Sequence, residues 1–315
     1  MEFNWSVLDD TEKIIYALRS LYMRSGYRLY RMGKFEEYDL YSQNKDFLVS
    51  DTVITFMDTN GRLMALRPDV TLSIIKNNRD LPGKLQKLCY NEYVYRSGKD
   101  GSCFKEIMQT GLECFGPVDG ACITEVLQLA MDSLKTVSGE YALLISSLDI
   151  LSAFLDRISP DAAVKAALTR AVGEKNLHAL GEICREKGLE ASAVDRLAAL
   201  VALKGSSRTV LPELEALCCE SGAGEAFLTL KEAVSSFAGS DYENRIQIDF
   251  SVTGDINYYN GIVFKGYIAG LPGNVLSGGQ YDRLMKKMGR KSRAIGFAVY
   301  LDLLERISLK ETEVQ

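Results

Sequence analysis

The sequence predicts an α+β fold in which helices flank an antiparallel sheet and a helical segment interrupts the sheet-forming part of the chain. Three observations favour this class. Runs of β-forming residues recur with turn signals between them, which is typical of hairpins and antiparallel sheets. Between about residues 148 and 240 the chain changes to Ala-, Leu- and Glu-rich stretches with helical periodicity. The regular strand–helix alternation of a dinucleotide-binding fold is missing.

The N-terminal part begins with a helix and continues into a hairpin. Apolar side chains recur at helical spacing over residues 9–24, after an acidic start signal. The aromatic and charged segment 27–41 predicts short strands or an ordered loop. Two β-rich runs, Val53–Met57 and Arg62–Arg67, are separated by the tetrapeptide Asp-Thr-Asn-Gly, which is a strong hairpin signal.

A helix start follows this hairpin. Pro68 suits the first turn of a helix, and Asp69 and Thr71 would lie in that same turn. An acidic residue at this position commonly interacts with the helix dipole. It could equally direct its carboxylate at a bound ammonium group, and the sequence leaves both interpretations open.

The stretch from Leu88 to Gly116 predicts two strands joined by a polar loop over residues 97–102. Alternate side chains of a strand share one face. Two sets of side chains therefore point the same way: Glu92, Val94 and Arg96 on the first strand, and Gln109, Gly111 and Glu113 on the second. A glycine between two polar residues leaves an open space above the backbone, as the floor of a small polar pocket requires. A solvated sheet face remains the alternative.

The rest of the chain adds helices and a second group of strands. An amphipathic helix is predicted over residues 123–137 and a strand over 141–147. In the helical segment, Pro212 fits a helix start. The β-rich pattern returns at Arg245, and Gly278-Gly279 predicts a tight turn into a helix near Tyr281. A buried strand over 293–300 precedes a short C-terminal helix. We divide the chain into a first core part (1–147), a helical insertion (148–240) and a second core part (241–315).

Composition limits the classes of function. The 315 residues are 47% hydrophobic and 25% charged, as in ordinary globular proteins, and allow two domains. A formal charge of −5 argues against a large nonspecific nucleic-acid surface. No apolar run has membrane-spanning length and no signal peptide is evident, so we expect a cytoplasmic protein.

The sequence gives little support for metal, cofactor or histidine-based chemistry. The seven cysteines form no C-x-x-C pair, and we expect reduced, mostly buried thiols rather than a zinc site. The one histidine, His178, lies in a helical stretch and is expected to be a surface or core residue rather than a catalyst. Neither a P-loop nor a G-x-G-x-x-G motif is present, so no cofactor is predicted.

Several separated segments resemble class II histidyl-tRNA synthetases, in the order in which that family has them. Arg67-Pro68-Asp69-Val70-Thr71 is similar to the R-P-E-x-T segment of the family. The other matches are Tyr95-Arg96 with Gln109–Glu113 (motif 2), Asn257–Phe264 (D-Y-Y-x-x-T-V-F), Ser277–Asp282 (G-G-R-Y-D) and Ala294–Ala298 (motif 3). The resemblance implies a class II aminoacyl-tRNA synthetase-like antiparallel sheet.

The departures from that family concern the groups that bind ATP. Gly254 stands where the family has an activating arginine, and Gln280 replaces the arginine of G-G-R-Y-D. Motif 3 ends in the residues of segment 300–303, Tyr-Leu-Asp-Leu, instead of G-L-E-R. Cys103 and Lys105 lie where motif 2 arginines are usual. Because amino-acid activation needs preorganised cations around the phosphates, we expect no adenylation. We also expect no anticodon-binding domain after motif 3 and no tRNA partner.

A synthetase-like core without these parts resembles the regulatory subunits of ATP phosphoribosyltransferase. That resemblance implies a noncatalytic chain needed for the activity of a separate short-form catalytic subunit and for feedback inhibition by histidine. It implies homodimers that join catalytic dimers into a hetero-octamer. Alternatives are a histidine-binding synthetase paralogue with another partner, or a short histidyl-tRNA synthetase.

The resemblance also implies a histidine site. Asp69 and Thr71 would meet the α-ammonium group, and Gln109 the ammonium or the carboxylate. Glu113 would pair with the imidazole, while the remaining implied contacts are Tyr258 and Tyr259 along the ring and Arg96 at the carboxylate. Two interpretations stay open at this point. The polar residues could be an inherited scaffold, and feedback could act through a separate site at a subunit interface.

Overall fold

The computed structural model describes residues 5–48, 52–97, 103–254 and 258–303. The strands are β1 (Arg28–Leu29), β2 (Phe35–Glu37), β3 (Thr55–Met57), β4 (Leu63–Leu66), β5 (Gln86–Ser97), β6 (Phe104–Gly116), β7 (Tyr141–Ser147), β8 (Lys204–Gly205), β9 (Ile246–Asp249), β10 (Asn260–Ile268), β11 (Leu276–Gln280) and β12 (Arg293–Tyr300). The helices are α1 (Asp10–Arg24), α2 (Tyr38–Ser42), α3 (Val70–Asn77), α4 (Gly120–Val137), α5 (Leu148–Ile158), α6 (Ala162–Gly173), α7 (Leu177–Glu186), α8 (Ala191–Ala202), α9 (Ser207–Ser221), α10 (Gly224–Ser235) and α11 (Asp282–Lys287). Single 3-10 turns lie at Trp5–Val7, Lys45–Phe47 and Leu301–Leu303.

A nine-stranded sheet forms the centre of the molecule, in the order β1-β5-β6-β12-β11-β10-β7-β9-β8. The six strands from β5 to β7 in that order pair antiparallel throughout, which confirms the predicted fold class. Two pairs at the margins, β1 with β5 and β7 with β9, are parallel and were not predicted. The paired segments are only two and three residues long, too short to leave a periodic signal in the sequence.

The predicted hairpin forms β3 and β4 of a small second sheet, β2-β4-β3, in which β4 is the central strand. Asp58 fixes its turn, because Oδ1 accepts hydrogen bonds from the backbone N–H groups of Asn60 and Arg62, both at 2.8 Å. The preceding segment 27–41 contains the two short strands β1 and β2, but also the helix α2, which the sequence analysis did not anticipate.

The two faces of the large sheet are buried against different layers. One face packs against α1, α4 and the helices that follow β7, in a continuous apolar core. The other face is covered by α2, α3 and α11 and contains a second, smaller cluster that includes Tyr90, Tyr258 and Tyr281. This smaller, aromatic layer is where the candidate site lies.

Helices α5 to α10 occupy residues 148–235, and β8 joins the edge of the large sheet from within that range. Leu151 and Phe154 of α5 and Leu230 of α10 belong to the same apolar core as Ile262 of β10. The helical segment is therefore continuous with the packing of the sheet. The division of the chain at residues 147 and 240 stays a prediction.

Three local predictions were wrong. Pro212 lies inside α9 rather than at its start, since the helix already begins at Ser207. Gly278 and Gly279 lie within β11, not in a turn. A Cβ at Gly278 would come within 2.6 Å of the Phe264 ring, so these positions need glycine for close packing. Finally, α3 begins at Val70, with Asp69 as its N-cap, so Pro68 precedes the helix.

Other predictions concern segments outside the described residues: the loop 98–102, residues 255–257 and the helix after residue 303. Within the described ranges, no helix has both the length and the apolar character needed to cross a bilayer.

Candidate functional site

All seven residues that the sequence analysis selected line one pocket on the aromatic face of the sheet. The pocket is built from the start of α3, from strands β5, β6, β11 and β12, and from the segment before β10. Its predicted members are Asp69, Thr71, Arg96, Gln109, Glu113, Tyr258 and Tyr259. Strand alternation accounts for the convergence, because β5, β6 and β12 present alternate side chains to the same face.

The start of α3 places two polar side chains in this pocket. Asp69 caps the helix, and its Oδ1 accepts a hydrogen bond from Leu72 N–H at 2.8 Å. Its carboxylate also lines the pocket, so the two interpretations of this residue are compatible. Burial raises the pKa of Asp69, although the Leu72 N–H group and Arg96 act in the opposite direction. Arg96 is held in place by a 3.2 Å hydrogen bond from Nε to the carbonyl oxygen of Pro68.

Glu113 is the most deeply buried carboxylate of the pocket, with 2% of its surface exposed. It accepts two short hydrogen bonds of 2.6 Å, from Thr71 Oγ1 to Oε1 and from Tyr281 Oη to Oε2. Burial raises the pKa of Glu113 to about 8, even though both hydroxyl donors lower it. Burial therefore favours the protonated form of this carboxyl group.

Tyrosine rings form the wall beside Glu113. Tyr258 and Tyr259 meet edge to face with their centroids 4.6 Å apart, and Tyr281 is 6.1 Å from Tyr258. Burial raises the pKa of all three phenols well above the ordinary value. The wall is therefore uncharged, and it offers flat apolar faces together with hydroxyl groups.

The floor of the pocket is not the open space that the sequence predicts above Gly111. Gly111 does lie on the pocket face, but the side chain of Tyr90 covers it: a Cβ at Gly111 would lie 2.7 Å from Tyr90 Oη. The glycine therefore makes room for the carbonyl oxygen of Phe297, which would lie 2.2 Å from such a Cβ, and for the Tyr90 ring, which is itself part of the pocket lining. Gly296 has a similar role on β12, where a side chain would overlap the Glu113 carboxylate.

The opposite end of the pocket holds Arg96, Gln109, Ser277 and Tyr300. Tyr300 pairs with Gln109 in the β6–β12 ladder and presents its ring to the pocket. Burial raises the pKa of Tyr300, while Arg96 and a hydrogen bond with Ser277 lower it. Among the described lining residues, Arg96 is the one cation, opposite the two carboxylates of Asp69 and Glu113.

Four polar lining residues were not predicted from the sequence: Tyr90, Ser277, Tyr281 and Tyr300. A strand-alternation signal existed for two of them. Tyr90 lies two residues before Glu92 on the predicted strand, and Tyr300 follows Ala298 by two residues. Tyr281 could not be found this way, because it lies after the end of β11 and reaches Glu113 only through the tertiary fold.

Several positions of interest lie away from the pocket. Gln280 is 1% exposed and points to the other side of β11, where its Oε1 accepts a hydrogen bond from Ile262 N–H at 2.8 Å. Gly254 has a φ of +57°, and a Cβ there would lie 3.1 Å from the Tyr259 ring, so an arginine would be strained. Arg67 is fully buried and pairs with Glu92 at 2.8 Å, which is a structural role.

The remaining chemistry of the chain is sparse. His178 is an exposed residue of α7 that faces Glu182 at 3.2 Å. Within the part of the chain that the structure describes, no three His, Cys, Asp or Glu side chains are grouped as a metal site requires. All seven cysteines are free.

The sheet and its pocket define a class II aminoacyl-tRNA synthetase-like protein. A family model described as histidyl-tRNA synthetase matches residues 7–304. An ATP phosphoribosyltransferase regulatory subunit from Clostridium kluyveri is 31% identical over 300 residues, which cover 90% of this chain and 74% of the relative. The chain therefore belongs to the histidyl-tRNA synthetase family, and within it to the ATP phosphoribosyltransferase regulatory subunits.

Solved structures agree with this assignment. An ATP phosphoribosyltransferase regulatory subunit/histidyl-tRNA synthetase from Bacillus halodurans aligns with a TM-score of 0.81 at 26% identity, covering 93% of this chain and 78% of that one. An ATP phosphoribosyl transferase complex from Thermotoga maritima aligns with a TM-score of 0.71, covering 93% and 97%. At 18% identity, the second match supports the fold alone.

Proposed function

We propose that this chain is a noncatalytic, cytoplasmic regulatory subunit of ATP phosphoribosyltransferase. In this role it would be needed for the activity of a short-form catalytic subunit and for feedback inhibition by histidine at the first step of histidine biosynthesis. One observation carries the proposal. The pocket keeps Asp69, Thr71, Gln109 and Glu113 together, while its described lining contains the single cation Arg96.

Histidine matches the distribution of charge in this pocket. Its α-ammonium group would lie at Asp69 and at the oxygen of Thr71, which donates its own proton to Glu113 and keeps lone pairs free to accept. The carboxylate would meet Arg96, and Gln109 would bind either group. The imidazole would lie along Tyr258 and Tyr259 and donate to Glu113. A ligand without these groups would leave buried polar atoms unpaired, which is costly.

The same pocket is poorly equipped to activate histidine. Transfer of the adenylyl group from ATP to the histidine carboxylate, with release of pyrophosphate, develops negative charge on the phosphates. Loss of one preorganised donor commonly costs on the order of 10²- to 10³-fold in rate. Gln280 is turned to the other face of β11, and the Tyr300 ring occupies the end of the pocket beside Arg96. These features support binding without adenylation.

Regulation follows from linkage between ligand and assembly. A ligand shifts an equilibrium only by its differential affinity for the two states. Histidine would bind more tightly to the inhibited assembly, and that assembly would reciprocally raise the affinity for histidine. The family relationship supports a homodimer as the building block and a hetero-octamer with the catalytic subunit.

The test is reconstitution. The purified chain is added to a short-form catalytic subunit, and formation of phosphoribosyl-ATP is measured with and without histidine. We expect the chain to raise activity and histidine to suppress it. Absence of any stimulation would contradict the proposal, and histidine-dependent ATP–pyrophosphate exchange by the chain alone would instead support a short histidyl-tRNA synthetase.

A further inference from the structure

A concentrated positive charge lies on the surface formed by segments 76–84 and 283–293. These 20 residues contain nine of the 37 lysines and arginines of the chain but one of its 42 acidic residues, Asp80. The protein as a whole carries a formal charge of −5. A local excess of this kind in an acidic chain needs an explanation beyond solubility.

The fold brings the two segments together. The Asp80 carboxylate accepts a 2.8 Å hydrogen bond from the backbone N–H of Lys291, so the one acidic side chain within the two segments is occupied by the backbone. Arg290 donates to the carbonyl oxygen of Ile75 at 2.9 Å, which ties the end of α11 to the end of α3. We call this area the basic surface and define it by Arg79, Lys84, Lys286, Lys287, Arg290, Lys291 and Arg293.

Most cations of the basic surface face solvent. Lys84, Lys286, Lys287 and Lys291 are exposed, and none of them has a carboxylate partner among the described residues. Arg293 is paired with Asp282 at 3.2 Å. The unpaired lysines leave a positive potential that a binding partner can neutralise.

An apolar hollow of about 380 Å³ lies between the two segments, where residues 80–83 meet residues 291–293. Leu81, Pro82 and Pro117 line it together with the charged residues Asp80, Lys291 and Arg293. Leu81 is 46% exposed although it is a large apolar residue. An apolar centre with a polar rim is the usual anatomy of a protein–protein interface. The lining contains none of the aromatic side chains on which single-stranded nucleic acids stack.

We propose that the basic surface docks an acidic face of the catalytic phosphoribosyltransferase subunit, with an apolar side chain of that subunit in the hollow. The proposal rests on the function proposed above and names the part of this chain that meets the partner. In this arrangement, burial of the partner's apolar side chain in the hollow provides affinity, and the lysines make the association depend on salt concentration.

The position of this surface suits regulation by the pocket. Three elements run from one to the other. α3 begins at Val70, between Asp69 and Thr71 of the pocket, and ends beside Arg290, while α11 begins after Tyr281 and ends at Lys287. β12 begins at Arg293 and ends at Tyr300. The eight-residue α3 spans about 12 Å, so ligand-dependent shifts at its start have a short, rigid route to the docked subunit.

Charge reversal tests the proposal. The variant K286E/K287E is compared with R185E/K187E, which reverses two exposed charges on and just after α7 and so matches the change in net charge. Binding of each chain to a short-form catalytic subunit is measured by calorimetry at about 0.05 M and about 0.5 M salt. We expect about tenfold or greater loss of affinity for K286E/K287E at low salt, a much smaller loss at high salt, and no loss for the control.

Two further measurements separate the outcomes. Histidine binding to each isolated variant is expected to be unchanged, which shows that the pocket and fold are intact. Equal affinity of K286E/K287E and the control for the catalytic subunit would overturn the basic surface as the docking site. The docking site would also be overturned if the natural chain binds RNA, and if K286E/K287E loses this RNA binding but still binds the catalytic subunit. Failure of the unmodified chain to bind any catalytic subunit would overturn the proposed function itself.

Discussion

The two faces of strand β6 contribute to different parts of the molecule, the apolar core and the candidate pocket. On one face, Leu112 and Cys114 are fully buried in the large apolar core under α4. On the other, Gln109 and Glu113 are almost as deeply buried, but they are polar and converge on the pocket. One strand thus contributes to the apolar core and to the pocket at alternate residues. Substitutions one position apart are therefore expected to have different consequences.

Loss of packing on the core face is expected to have the largest effect on stability. Leu112→Ala removes a side chain with 0% exposure and leaves a cavity, so the free energy of unfolding should fall by about 2–5 kcal/mol. Urea denaturation measures this. Leu228→Ala, at a position that is 61% exposed, is the control and should change it by less than about 0.5 kcal/mol. Equal losses in the two variants would contradict the assignment of the core.

Loss of charge on the pocket face should affect the ligand instead. Glu113→Gln keeps the shape of the side chain but removes its ability to carry a negative charge and replaces one acceptor oxygen with an NH₂ donor, which weakens the hydrogen bond from an imidazole N–H group. The affinity for histidine should fall by about 10- to 100-fold, since hydrogen bonds to charged groups contribute about 1.5–3 kcal/mol. Calorimetric titration gives the value. Unchanged histidine affinity in both Glu113→Gln and Gln109→Ala would exclude this pocket as the histidine site.

The same substitution should change how stability depends on pH. The pKa of Glu113 is about 8 in the folded chain and near 4.5 when unfolded, so the folded state binds the extra proton. The contribution of Glu113 to the free energy of unfolding is therefore fully present below pH 4.5 and is lost as the pH rises towards 8. The difference in unfolding free energy between the natural chain and Glu113→Gln should shift by at most about 1.4 kcal/mol per pH unit in that window. A difference that does not change between pH 5 and 8 would refute the raised pKa of Glu113.

Tyr300 offers a sharper test of selectivity within the pocket. Its ring lies beside Arg96 and Ser277, where a group attached to the ligand carboxylate would extend. Tyr300→Ala should bind a nonhydrolysable histidyl-adenylate analogue about tenfold more tightly than the natural chain does. The affinity for histidine itself should change little. Competition titrations measure both. Equal exclusion of the analogue by both proteins would show that Tyr300 is not the barrier.

The smallest effect is expected at the histidine of the chain itself. His178 is 80% exposed on its side chain and interacts with Glu182 alone among the described ion pairs. Exposed pairs of this kind contribute little. His178→Ala should leave the thermal unfolding midpoint and the activity of the assembled enzyme unchanged, and a loss of either would reveal a role that its position does not suggest.

The sequence was sufficient for the features that depend on local periodicity. Alternation along residues 88–116 correctly grouped Arg96, Gln109 and Glu113, and the Asp-Thr-Asn-Gly turn located the hairpin before α3. Sequence patterns gave wrong predictions where tertiary packing determines the local structure. Gly278 and Gly279 resemble a turn in sequence, but they are strand residues kept small by neighbouring aromatic rings.

Contacts between residues far apart in the sequence could not be predicted either. The hydrogen bond from Tyr281 to Glu113 joins residues 168 positions apart, and no local pattern predicts such a contact. The ring of Tyr90 over Gly111 likewise depends on the register between β5 and β6, which pairs these two residues. The pocket is therefore more aromatic and more closed than its sequence motifs suggested.

The most direct test of the central claim is the histidine inhibition curve of the assembled enzyme. Phosphoribosyl-ATP formation is measured against histidine concentration with the natural chain and with Glu113→Gln. If the pocket is the sensor, the inhibition midpoint of the variant should move to higher histidine by the factor that calorimetry gives for its loss of affinity. An unchanged midpoint, despite weaker binding to the pocket, would contradict the account and place feedback at a different site.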